Sequence, residues 1–229
     1  AYYLRLSGSA AAGLLVEGTP LPPNTPLPLQ QGWNMLGYLP GSAMPVATAL
    51  GSIAGKYSIV LSIDKTYDPA HPAFSTLAAM QPGQGYLIHM NEAATLVYPT
   101  AMQSTQILPQ QTDSPCLLYR TPQFTLAYAE VHINGAPAPA GAHVEAVNAA
   151  GQVIGCGQVR NTGRLGFLHI YGVHDDGDIG ARAGETVGWR INGLAAAADE
   201  ELVWQNDRTG HFLQLNAAGT RQFMPIVSK

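Results

Sequence analysis

Between Thr125 and Leu215 the chain alternates short apolar and polar runs, with turn residues at near-regular spacing. It reads TLAYAEVHINGAPAPAGAHVEAVNAAGQVIGCGQVRNTGRLGFLHIYG, then an acidic loop, then ETVGWRINGLAAA and two short apolar runs. A period of two, broken this often by turns, specifies antiparallel strands rather than helices. Asn134-Gly135 lies between two such runs and is a strong hairpin signal. The predicted fold is all-β and mainly antiparallel, with a β-sandwich over residues 124–229.

The first half, residues 1–99, reads as a separate β-module. AYYLRLSG and GLLVEG are strand-like; TPLPPNTPLPLQQ is too rich in proline for a helix or a central strand and reads as an extended edge. Gly32 to Pro40 reads as a buried strand and Tyr57 to Asp64 as a clear one. One short helix is predicted, because Val46, Ala49, Leu50 and Ile53 share one helical face. QPGQG turns the chain into YLIHM, and a tight connection leads to ATLVYP. Residues 100–123 are polar and irregular and read as the linker.

Two stretches carry a likeness to known modules. Gly32-Trp33-Asn34, the apolar helix, Tyr57 to Val60, Pro82 to Ile88 and Ala94 to Pro99 stand in the order of a recurrent secreted module of bacterial surface proteins. Residues 29–99 resemble that module, with Leu87 where many members carry Trp. The resemblance implies an exported protein and no enzymatic role. VHINGAPAPAGAHVEAV and GARAGETVGWRING resemble secreted β-sandwich modules related to the carboxypeptidase regulatory and transthyretin-like domains, over residues 124–215. The second phrase departs from the pattern at Glu185, where the family has Asp. That likeness implies an Ig/transthyretin-like sandwich and speaks for fold far more than for activity.

Composition narrows the partners. Charged residues are 11% of the 229, lysine occurs only at positions 56, 65 and 229, and the net charge is −4. No basic face for nucleic acid is available. No apolar run is long enough for a membrane span. A surface this poor in charge has few solubility devices and favours covering by copies of itself or a partner. An extracellular or cell-surface location is the expectation; a start at Ala1 is compatible with cleavage behind a small residue and is no proof of secretion. Cys116 and Cys156 are either one disulfide or two buried thiols; the disulfide is the expectation, tying the linker to the second half.

Candidate chemistry is sparse. Asp175, Asp176 and Asp178 lie on a glycine-bent loop with Glu185 beyond it; calcium is the candidate ion, against a simple solvated loop. The seven histidines are scattered, with no H-x-x-x-H or C-x-x-C spacing, so no zinc site is read from them. Trp189 and Trp204 would make a stacking platform for glycan rings if exposed in a row. Inward packing is the commoner fate of strand aromatics, for these and for Trp33. No nucleophile elbow, paired-carboxylate pattern or phosphate loop is present, so no enzyme is predicted.

The functional expectation is a non-catalytic structural or surface protein, a self-assembling subunit of a filament, sheath or layer. The alternative is a carbohydrate-binding or adhesin module of a secreted protein. The N-terminal run, with Tyr2, Tyr3, Leu4, Leu6, Leu14, Leu15 and Val16, is the expected assembly element. It is apolar, β-prone and nearly uncharged, and such a strand pairs at home or with a neighbouring subunit.

Overall fold

The computed structural model describes residues 18–19, 21–100, 116 and 118–219. The chain divides into two compact units, with the boundary between Gln110 and Gln111, inside the segment read as the linker. Its described residues are all-β and mainly antiparallel, with one short α-helix.

The first unit holds eight short strands among its described residues. These are β1 (Leu27–Leu29), β2 (Gly32–Gly37), β3 (Met44–Pro45), β4 (Tyr57–Leu61), β5 (Thr66–Tyr67), β6 (Ala79–Met80), β7 (Gly85–Met90) and β8 (Ala94–Leu96). Four of them form a sheet in the order β2-β7-β4-β5, and β1 pairs with β8 and β3 with β6. Helix α1 (Val46–Ala49) continues after Leu50 as a 3-10 turn over Gly51–Ile53. Val46, Ala49, Leu50 and Ile53 are all fully buried, as their spacing predicts, and pack with Leu36, Val60, Ile88 and Met90.

Strand β2 differs from the expectation of a buried strand. Leu36 faces the core, but Trp33 and Met35, on the opposite side of the pleat, are 37% and 51% exposed. β2 is an edge strand of its sheet, and nothing in a period-two pattern says whether the second face will be covered. The local chemistry at its start is specific. Gly32 takes a left-handed φ of 87°, and the Asn34 carboxamide closes the turn. Asn34 Oδ1 accepts from Gln30 N (2.9 Å), while its Nδ2 donates to the carbonyls of Gln30 (2.7 Å) and Gly32 (3.0 Å).

The second unit is built from β9 (Phe124–Ile133), β10 (Ala136–Pro137), β11 (His143–Val147), β12 (Val153–Asn161), β13 (Arg164–Tyr171), β14 (Gly188–Ile191), β15 (Leu194–Ala198) and β16 (Gly210–Ala217). The order is β10-β9-β13-β12-β11-β14-β15-β16, and β16 returns to pair in parallel with β9 from Gly210↔Leu126 to Ala217↔Ile133. The sandwich-like sheet therefore closes on itself through seven strands, which removes its free edges. Asn134 (φ 54°) and Gly135 (φ 78°) form the predicted hairpin, and Asn192 (φ 50°) with Gly193 (φ 78°) forms a second between β14 and β15. Both positive φ angles are what a type I′ turn demands.

Alternate residues face inward: Ala127, Ala129 and Val131 on β9, Val144 and Ala146 on β11, Leu213, Leu215 and Ala217 on β16. Gly155 and Gly157 on β12 leave room for their neighbours, since a Cβ on Gly157 would press on Leu165 and Leu168. Cys156, between them, therefore points outward.

Candidate functional site

The outer face of the second unit carries a row of side chains set by strand register. Glu145 on β11 stands opposite Cys156 on β12 and opposite Arg190 on β14. His143, two residues before Glu145, projects from the same face. Cys116, from the segment before β9, is bonded to Cys156 as expected, with Cα atoms 6.4 Å apart.

Around this disulfide the polar contacts form a chain. His143 Nε2 lies 3.1 Å from Cys116 Sγ, and His143 Nδ1 lies 3.7 Å from Glu145 Oε1. Arg190 Nη1 is 3.9 Å from the other Glu145 oxygen. The His143 backbone is clamped by Asn192: its N–H donates to Asn192 Oδ1 and its carbonyl accepts from Asn192 N, both at 2.8 Å. Cys116, His143 and Cys156 are the one group of three potential ligands gathered within 4.8 Å among the described residues, and each is half-buried. The spacing in sequence hides this group, because its members are 27 and 13 residues apart. The legible signal was the H-x-E alternation on a strand one turn away from a cysteine-bearing strand.

The acidic loop is held by its own backbone. Asp178 Oδ2 accepts the backbone N–H groups of His174 (3.2 Å) and Asp175 (2.9 Å), which folds the loop on itself. Asp175, Asp176 and Asp178 do not meet at a common centre. Glu185 points elsewhere: its two oxygens accept from Ala149 N (2.6 Å) and Arg182 N (2.8 Å), tying two turns together.

Trp189 and Trp204, read as a glycan platform, are core residues at 5% and 2% exposure. Trp189 faces inward on β14 beside Ile191, and Trp204 donates its indole N–H to Ile170 O at 2.9 Å. Both fill the space left by small neighbours, which is why they cannot stack on a ligand. The exposed tryptophan is Trp33, whose ring meets the His89 ring edge-on at 5.1 Å. Met35 lies next along that face, opposite half-buried Leu87. Tyr2, Tyr3, Leu4, Leu6, Leu14, Leu15 and Val16 lie outside the described residues.

A shallow open groove of about 420 Å³ lies on the second unit, with His132, Asp199, Gln214 and Asn216 among its lining. Its polar groups are largely engaged: Asp199 Oδ1 accepts from Gln214 N at 2.7 Å and Asn216 Oδ1 from Gly135 N at 3.4 Å. Among the described residues no helix is long and apolar enough to cross a membrane. No family model, curated protein or solved structure matches the chain.

Proposed function

We propose that this is a non-catalytic, exported surface or structural protein that associates with copies of itself through its first unit. The observation that carries the reading is the adjacent exposure of Trp33 and Met35 on edge strand β2. Two large apolar side chains held side by side on a rigid strand form a contact patch, not a scatter of single exposed residues. Among the described residues the seven-stranded sheet of the second unit is closed, so it serves as a stable body and leaves association to the first. The disulfide fits an oxidising compartment. With charged residues at only 11%, little repulsion opposes self-contact.

Sedimentation velocity across a concentration series, with negative-stain microscopy, tests this. The wild type is expected to sediment as concentration-dependent assemblies, and Trp33→Ser/Met35→Ser as a folded monomer. Assemblies unchanged in the double variant would remove the face from the account. Deletion of residues 1–18 then separates the two routes: loss of assembly in a folded truncation assigns the contact to a donated strand. A wild type that stays monomeric at all concentrations ends the self-assembly reading.

The second reading is glycan binding, favoured by the exposed Trp33 ring beside His89. An exposed indole next to a polar ring is a stacking surface for a sugar. Quenching of Trp33 fluorescence by oligosaccharides, absent in Trp33→Ala, would support it.

A further inference from the structure

The donor set around the disulfide is suited to something other than a staple. Two cysteine sulfurs and an imidazole nitrogen lie within 4.8 Å of one another. Thiolate and imidazole together select zinc-class divalent ions over magnesium or calcium. A tetrahedral zinc, with Zn–S near 2.3 Å and Zn–N near 2.0 Å, holds its sulfurs about 3.8 Å apart and each sulfur about 3.5 Å from the nitrogen. His143 Nε2 already stands 3.1 Å from Cys116 Sγ. The sulfurs would need only side-chain rotation to part, with the Cα atoms left at 6.4 Å.

The surroundings point the same way. A metal-bound histidine usually offers its other ring nitrogen to a carboxylate, which sets the tautomer and orientation. Here Glu145 stands 3.7 Å from His143 Nδ1, leaving Nε2 toward the sulfurs. Arg190 in turn lies 3.9 Å from Glu145. His143, Glu145, Cys156 and Arg190 all ride on paired strands, and Asn192 clamps the His143 backbone, so three neighbouring strands position the group.

We propose that the Cys116–Cys156 pair is a redox-gated metal site: oxidised it is a staple, and reduced it binds one zinc-class cation through Cys116, Cys156 and His143. Glu145 acts as the positioning residue for the imidazole. Reduction by a dithiol breaks the S–S bond; two electrons and two protons pass to the sulfurs, and the dithiol leaves as its own disulfide. The cation then displaces both thiol protons to solvent, and water takes the fourth position.

The test is anaerobic titration of the full chain, reduced with a phosphine, using Co²⁺ as the probe and Zn²⁺ as the competitor. One equivalent of Co²⁺ is expected to give thiolate charge-transfer and tetrahedral visible bands that Zn²⁺ abolishes. Oxidised protein should give neither. His143→Ala should weaken Co²⁺ binding at least tenfold. Glu145→Gln should weaken it about ten- to hundredfold, with the visible bands shifted. Absent bands in the reduced wild type, or equal affinity in His143→Ala, would overturn the proposal. Circular dichroism covers the case in which reduction unfolds the chain: Zn²⁺ is then expected to restore the β spectrum of the wild type but not of Cys116→Ser. Failure of Zn²⁺ to restore it also overturns the proposal.

Discussion

Replacing Gly172 with alanine adds one methyl group where the second unit has no room for it. A Cβ at Gly172 would overlap the benzo ring of Trp204. Gly172 is outside the left-handed region, so the cost is steric and not conformational. Neither side can retreat easily. The Gly172 N–H donates to Gln123 O at 2.9 Å, and its carbonyl accepts from Thr121 Oγ1 at 2.7 Å. Trp204 is fully buried and holds Ile170 O through its indole N–H at 2.9 Å. Overpacking of this kind costs about 1–3 kcal/mol. If the indole moves instead, a buried carbonyl loses its donor at about 1–3 kcal/mol more. The expected loss for Gly172→Ala is thus about 2–6 kcal/mol, summing those two ranges. Guanidinium unfolding followed by tryptophan fluorescence reads it, in a cycle with Trp204→Leu. Leucine has no atoms where the benzo ring lies, so Gly172→Ala should cost at least about 1.5 kcal/mol less in that background. A Gly172→Ala variant within about 0.5 kcal/mol of wild type, or the same cost in both backgrounds, would refute the reasoning.

The disulfide joins residues 40 apart, so the Cys116→Ser/Cys156→Ser double variant should lose about 4 kcal/mol in the chain-entropy account, read by denaturant unfolding under non-reducing conditions. Burial pushes the phenols of Tyr38 and Tyr57 up to about 12, with Tyr86 and Tyr67 respectively adding to the effect, and raises Tyr98 as well. Between pH 10 and 12 the unfolded chain therefore holds fewer protons than the folded one. Stability of the first unit should be constant with respect to these groups below pH 10 and fall above it, measured as melting temperature against pH. A melting temperature that climbs from pH 10 to 12 would contradict the sign. Glu185→Gln places an amide N–H₂ against one of two backbone donors, and should cost about 1–3 kcal/mol in the same unfolding assay.

Local pattern alone determined the class of this protein and most of its elements. The alternation in FTLAYAEVHI and HVEAV specifies strands, because side chains on a pleat must divide between two faces. Asn134-Gly135 specifies a hairpin, because only such residues accept the positive φ that the turn imposes. The burial of Val46, Ala49, Leu50 and Ile53 follows from helical spacing in the same way. What the pattern leaves open is which face finds a partner and which distant residues meet. Trp33 and Trp189 sit in similar strand contexts, yet one is exposed and the other is core, because Trp33 lies on the face of β2 opposite its core while Trp189 points into the interior of a closed sheet. Asp175, Asp176 and Asp178 are neighbours in sequence but do not converge, since Asp178 turns its carboxylate to the loop's own backbone. Cys116, His143 and Cys156 are strangers in sequence and neighbours in space. Only the tertiary structure could unite them, because cross-strand register, and the inward glycines that turn Cys156 outward, are settled by the packing of the whole barrel.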